Sequence, residues 1–240
     1  TFGVSALILP KLSNVATALW EARSAFGSHG AITAFATLAA MAMALVMALI
    51  VTPLAATFKL ADAAMTPIIV SGQALPKVVL IPLLFLIVDS VVLPGIIVGA
   101  LIAFFPVYIS LRYSIDTIPR GLLHLAKVWG YSRKRTVISI GLPYAVPIAI
   151  GTLRLAWIYA MIGVISAELL HPVKGLGFLM DQAYNRLDGA SFYAAVLVCL
   201  VLAVGGWSIA AAIDRWTRIS WRVSLPVETW SNRSRSAWGS

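Results

Sequence analysis

The chain has 240 residues, of which 60% are apolar and 11% charged, with a mean hydropathy of +0.93 and a formal net charge of +9. Soluble domains run at roughly 45–50% apolar and 25% charged, and a globule of this size has too much surface to hide such an excess. Composition therefore excludes a water-soluble globule, a disordered chain, a collagen and a coiled coil, and the lone Cys199 excludes a disulfide scaffold; a polytopic membrane protein remains.

Residues 1–30 read as an extracytoplasmic segment with no secretory h-region of the usual layout. The chain opens on Thr1 rather than Met, which leaves room for an upstream span. Ala31 to Thr52 carries no charge and is long enough to cross a bilayer. Met65 to Val88 is apolar but interrupted by Gln73, Pro76 and Pro82. It reads as one bent span, because broken apolar segments mark irregular backbone that lines a cavity. Val91 to Tyr108 is the third span, with Gly95 and Gly99 at the spacing that lets helices approach closely, chiefly within the chain. Pro143 to Leu169 is the fourth, interrupted by Arg154 and Glu168, and Phe192 to Ile213, with its Gly205-Gly206 pair, is the fifth. The expected fold is an all-α membrane protein with about five core helices in one domain over 31–214, followed by a basic tail over 215–240.

Charge sets the orientation. From Arg112 to Ile140 lie six cations (Arg112, Arg120, Lys127, Arg133, Lys134, Arg135) against Asp116 alone. From Asp214 onward lie five arginines against Asp214 and Glu228. Basic residues gather on the cytoplasmic side, so both stretches belong inside and the N-terminus outside. Nucleic-acid binding would also use basic runs, but these flank long apolar segments.

The stretch about 112–142 is too long for a simple turn. Gly121 to Trp129 has helical apolar spacing, Gly130 suits a helix C-terminus, and Ser132 suits the N-cap of a second short helix through Ile140. Pro143 fits the first turn of the next span, where its missing N–H costs nothing. The product is a helix–turn–helix bracket presenting Trp129, Tyr131 and Arg133-Lys134-Arg135. Charge-driven orientation and binding of anionic lipid head groups are further readings of that basic triplet.

Here the chain resembles a known family. Permeases of binding-protein-dependent ABC importers share a cytoplasmic loop written Glu-Ala-Ala, three residues, Gly, nine residues, Ile, one residue, Leu-Pro. Ala126, Gly130, Ile140, Leu142 and Pro143 fall at those spacings, while His124 and Leu125 replace the Glu and first Ala. Four further segments are similar to the sulfonate/nitrate/taurine branch. They are Leu9-Pro10-Lys11-Leu12-Ser13-Asn14-Val15, Ala74-Leu75-Pro76-Lys77 with Ile81-Pro82-Leu83, Gly151-Thr152-Leu153-Arg154, and Glu168 with Gly175-Leu176-Gly177. The resemblance runs from Leu9 to Arg222.

The resemblance implies a type I importer permease in the plasma membrane, working as a homodimer. It implies two ATPase subunits beneath, an extracytoplasmic binding protein above and a small, anionic solute such as a sulfonate, nitrate or taurine. It also implies a coupling loop of Ala126, Lys127, Trp129, Gly130, Tyr131, Ser132, Arg133, Ile140, Leu142 and Pro143. No Walker A pattern occurs, so this chain is expected to bind no cofactor, with ATP and Mg on the partner ATPase.

Arg154 lies about a dozen residues into its span, where a charge costs ~2.5–3.5 kcal/mol on insertion scales. It reads as a cation lining the path, as one half of an ion pair with Asp89 or Glu168, or as an arginine near the cytoplasmic lip. Glu168 and Asp89 sit near span ends, where interfacial solvation suffices; Glu168 is also a candidate for the path. His29, His124 and His171 are too scattered for a metal site, and no catalytic constellation survives the topology. An ion-coupled secondary transporter is the rival, although it would call for intramembrane carboxylates and a repeat between halves. An intramembrane protease lacks a nucleophile–base pair. Trp207, Trp216 and Trp221 read as interfacial belt residues.

Overall fold

The computed structural model describes residues 10–222, with no β-strand among them. Helix α1 (Leu12–Glu21) leads into α2 (Arg23–Thr57), then α3 (Lys59–Ala74), a 3₁₀ turn at Lys77–Val79 and α4 (Leu80–Ile87). There follow α5 (Leu93–Asp116), α6 (Arg120–Val128), α7 (Arg133–Thr136), a π turn (Val137–Gly141), α8 (Leu142–Leu170), α9 (Leu176–Asn185) and α10 (Gly189–Arg222). The expected tail therefore starts as helix, because α10 runs on through Arg222. Its remainder, 223–240, and Leu9 lie outside the described residues, as does the side chain of Trp221.

Four helices among the described residues are long and apolar enough to cross a membrane: Arg23–Thr57, Leu93–Asp116, Arg133–Leu170 and Gly189–Thr217. Met65–Val88, expected as one bent span, is instead two shorter helices. Leu75 precedes Pro76, whose ring disfavours helical backbone at the residue before it. Leu75 is accordingly extended, at φ −69° and ψ 129°, and α3 stops there. Phe58 is likewise extended (φ −105°, ψ 115°), which separates α3 from α2.

Small residues carry much of the packing between the long helices. On α2 the buried stripe is Thr33, Ala36, Thr37, Ala40, Ala44 and Ala48; on α8 it is Ala145, Ala149, Thr152, Ala156, Ala160 and Ala167. Each stripe keeps to one face of its helix. The bulky side chains Phe35, Leu38, Ile50, Leu200, Val201 and Ile209 point outward. Lipid tails are as apolar as leucine, so large side chains gain little by turning inward, and helices gain by bringing backbones close. Gly99 and Gly163 mark a close crossing of backbones, between α5 and α8: a Cβ on Gly163 would stand 2.5 Å from the Gly99 Cα. Gly95 meets Val164 and Ala167 of α8. The Gly95–Gly99 pair thus serves contacts within the chain, as the spacing favoured.

Trp207 and Trp216 are both exposed on α10, at 41% and 72%, where indoles can reach the bilayer interface.

Candidate functional site

The bracket follows from two local caps. Helix α6 ends in a Schellman motif: the Gly130 amide donates to the Lys127 carbonyl at 3.0 Å, and the Tyr131 amide to Ala126 at 2.9 Å. That geometry needs a left-handed residue after the helix, and Gly130 supplies it at φ +68°. Ser132 then caps α7, its hydroxyl accepting from the Arg135 amide at 3.3 Å. The predicted turn, cap and second helix are all present.

One boundary differs. The second helix does not stop before the next span, because α7 passes through the π turn directly into α8. Arg133–Leu170 forms one continuous run of 38 residues, about 57 Å at 1.5 Å per residue. The π turn lies just before Pro143, whose ring would clash with the carbonyl four residues back in a regular α-helix. Gly141 is buried against Ile115 and Ile118, and Ile140 packs on the main core. The Ile140, Leu142 and Pro143 segment thus makes the joint between bracket and span.

The two faces of α6 differ. Ala126 is 1% exposed and Leu123 packs on the core, so the helix is seated there. Leu122, Leu125, Val128 and Trp129 form an exposed stripe on the other side, Val128 at 81% and Trp129 at 68%. His124, standing where the family motif has Glu, is exposed with them, as is Lys127. Arg135 stacks its guanidinium over Tyr131 at 4.3 Å, and Tyr131 lies 6.0 Å from Trp129. Arg133 turns the other way, and its Nε donates to the Ala56 carbonyl at 2.9 Å. That carbonyl belongs to the last turn of α2, where cations suit the helix dipole, so Arg133 straps the bracket to α2. An apolar stripe with a basic rim is the character of a protein-binding surface.

Arg154 does pair with a carboxylate, but with neither Asp89 nor Glu168. Its Nη2 lies 3.2 Å from Asp214 Oδ2 on α10, with the Arg154 side chain 33% exposed and that of Asp214 6%. The Trp207 ring lies 5.9 Å from the guanidinium carbon. Asp89 is exposed at the end of its segment, in keeping with interfacial solvation.

Glu168 sits at the far end of α8 from the bracket. Its carboxylate accepts the Thr33 hydroxyl at 2.8 Å and the Gly177 amide at 2.9 Å. Thr33 in turn accepts the Leu176 amide at 2.9 Å, and His29 Nδ1 accepts the Gly175 amide at 3.0 Å. A Cβ on Gly177 would lie 2.6 Å from the Glu168 Cβ, so the Gly-Leu-Gly segment has to be bare to reach this carboxylate. The structure thereby joins Glu168 to the glycines that follow it, as the motif suggested, and adds His29 and Thr33. The signal for those two was one helical turn of spacing between them on α2. Among the described residues no group of three or more His, Cys, Asp or Glu could hold a metal ion.

Apolar helices long enough to cross a membrane, packed through small residues and with an exposed bracket at one end, define a multi-pass membrane protein. The chain belongs to the family described as the binding-protein-dependent transport system inner membrane component, matched over residues 40–219. It is 28% identical over 224 residues to the riboflavin transport system permease protein of Chloroflexus aurantiacus, covering 92% of this chain and 83% of that one. To the nitrate import permease protein of Synechococcus elongatus it is 26% identical, over 67% of this chain and 56% of the relative. In fold it is similar to a chain of the inward-facing MetNI methionine ABC transporter, with a TM-score of 0.58 at 18% identity, covering 77% of this chain and 94% of that one. The chain is a multi-pass inner-membrane permease subunit of an ABC importer, a transport component.

Proposed function

We propose that two copies of the chain enclose the translocation path, with an ATPase subunit docked on each bracket and a binding protein delivering solute at the opposite end. The observation that supports this most is the exposed stripe Leu122–Leu125–Val128–Trp129, carried on a bracket continuous with α8. A rigid helix transmits a push along its length, where a flexible loop would absorb it. ATP and Mg belong to the ATPase, and this chain binds neither. The cations from Arg112 to Arg135 support a cytoplasmic bracket, with the C-terminus on the same side and the N-terminus opposite.

The solute is a small anion such as a sulfonate, nitrate or taurine. The relatives' names span riboflavin and nitrate, solutes unlike in size and charge, so most of the selection falls to the delivering protein. Arg154 fits an anion's path: it is a third exposed even while paired, and a guanidinium has donors to spare. Glu168 reaches the path only when its bonds to Thr33 and Gly177 open.

The test is reconstitution in proteoliposomes with the cognate ATPase and binding protein, using nitrate, taurine and riboflavin as probes. The expected result is uptake of one probe that needs ATP and the binding protein together. Uptake driven by an ion gradient without ATP would support the secondary-transporter reading instead.

A further inference from the structure

The cap amide of α9 and the first two amides of the helix are all held by side chains from other helices. A helix N-terminus leaves its leading N–H groups without partners inside the helix. Here the Gly175 amide goes to His29 Nδ1 (3.0 Å), the Leu176 amide to Thr33 Oγ1 (2.9 Å) and the Gly177 amide to Glu168 Oε2 (2.9 Å). His29 and Thr33 stand one turn apart on α2, and Glu168 stands close to the C-terminal end of α8. Gly175 takes φ +99°, which only glycine adopts freely, to bring the amides into line. The His29 ring stacks on Phe178 of α9, centroids 5.3 Å apart, and Leu176 is fully buried beneath. Three bonds, from two helices, fasten one end of α9.

These bonds differ in their dependence on protons. A backbone N–H can only donate, so His29 Nδ1 is bare in this arrangement and the ring's proton sits on Nε2. A second proton has only Nδ1 to occupy. It would turn the acceptor into a donor aimed at another donor, and set a cation at the positive end of the α9 dipole. The threonine hydroxyl has no such switch, whereas imidazole is the side chain whose ordinary, unperturbed titration falls between pH 5 and 8. The ionisable groups carried by the elements around His29 include Glu21 on α1, Arg23 on α2 itself, Glu168 on α8, His171 and Lys174 in the connecting segment, Asp181 and Tyr184 on α9 and Cys199 on α10. Of these, Glu168 shares the Thr33 hydroxyl with the clasp and lines a small cleft with Lys174.

We propose that His29 is a proton-sensitive positioning residue: with Nδ1 bare it holds the start of α9 on α2, and a proton there releases it. The clasp lies at the end of the molecule opposite the bracket, so acid on that side loosens α9 without touching the coupling surface. This inference rests on the clasp geometry and stands apart from the choice of solute or ATPase.

The test is hydrogen exchange of the full chain in lipid nanodiscs, read residue by residue at Gly175 and Leu176. Rates at pH 8 and pH 5.5 are divided by the intrinsic rate of an unstructured peptide at each pH. In the wild type, protection at Gly175 falls by about tenfold at the lower pH, following the population of the opened clasp. His29→Asn, whose amide oxygen keeps an acceptor near the Nδ1 position, shows no such fall. Glu168→Gln keeps the fall, because its carbonyl still accepts from Thr33 and Gly177. Equal protection at both pH values in the wild type would overturn the proposal. So would a fall that survives in His29→Asn, or one that vanishes in Glu168→Gln, since the sensor would then be another group.

Discussion

Gly130→Pro abolishes coupled transport while leaving the chain in the membrane. Proline fixes φ near −65°, and Gly130 stands at φ +68° with its amide bonded to the Lys127 carbonyl. The variant loses the turn and the bond together, at a cost of about 3 kcal/mol or more. The bracket then leaves its seat around Ala126, and uptake falls at least about a hundredfold for a loss of that size. Gly130→Asn is the control, because asparagine tolerates the left-handed region, and it should keep most activity. Trp129→Asp separates contact from fold. Its side chain is 68% exposed, so α6 stays intact while the apolar stripe gains a charge. Loss of an aromatic anchor at an interface costs about 2–4 kcal/mol, or roughly 30- to 1,000-fold in ATPase affinity. Retention of the ATPase on the immobilised chain and uptake into vesicles read the two effects. Normal coupled transport in both Gly130→Pro and Trp129→Asp would remove the bracket from the mechanism.

Gly163→Ala should destabilise the chain strongly. The added carbon would meet the Gly99 Cα at 2.5 Å and the Gly99 amide nitrogen at 2.6 Å. Backbone cannot swing aside as a side chain does, so α5 and α8 must separate along their whole crossing. Overpacking costs about 1–3 kcal/mol even where side chains can yield, and at least about 3 kcal/mol is expected here. Gly205→Ala provides the comparison, since nothing lies within 4 Å of its added carbon and alanine favours helix over glycine by about 1 kcal/mol. Thermal unfolding in detergent should show a large drop for Gly163→Ala and no drop for Gly205→Ala. Equal behaviour of the two variants would mean that the α5–α8 crossing is looser than its geometry.

What is legible in the sequence is what local chemistry decides. Long apolar runs mark the spans, and Gly130, Ser132 and Pro143 mark the bracket, because caps and turns depend on a few neighbouring residues. The segment around Pro76 misleads as a single span: apolar composition continues through it, whereas one extended residue, Leu75, ends the helix. Arg154 announces the need for a partner but not which one. Asp214 lies sixty positions away on another helix, and only the rotation of α8 against α10 brings the two within 3.2 Å. The clasp is the least legible feature. Its donors are backbone amides, which carry no side-chain signature, and His29 looks isolated until α9 folds back over it. The Gly-Leu-Gly segment is visible as a motif. Its physical reason, a carboxylate that leaves no room for a Cβ, needs the structure.

The measurement closest to the central claim is purification of the tagged chain in mild detergent, with mass spectrometry of what accompanies it. A permease driven from its bracket should carry an ATPase in fixed stoichiometry, one per chain, lost on Trp129→Asp. A chain that emerges alone in several detergents, yet still transports when reconstituted, would contradict the ATP-driven mechanism.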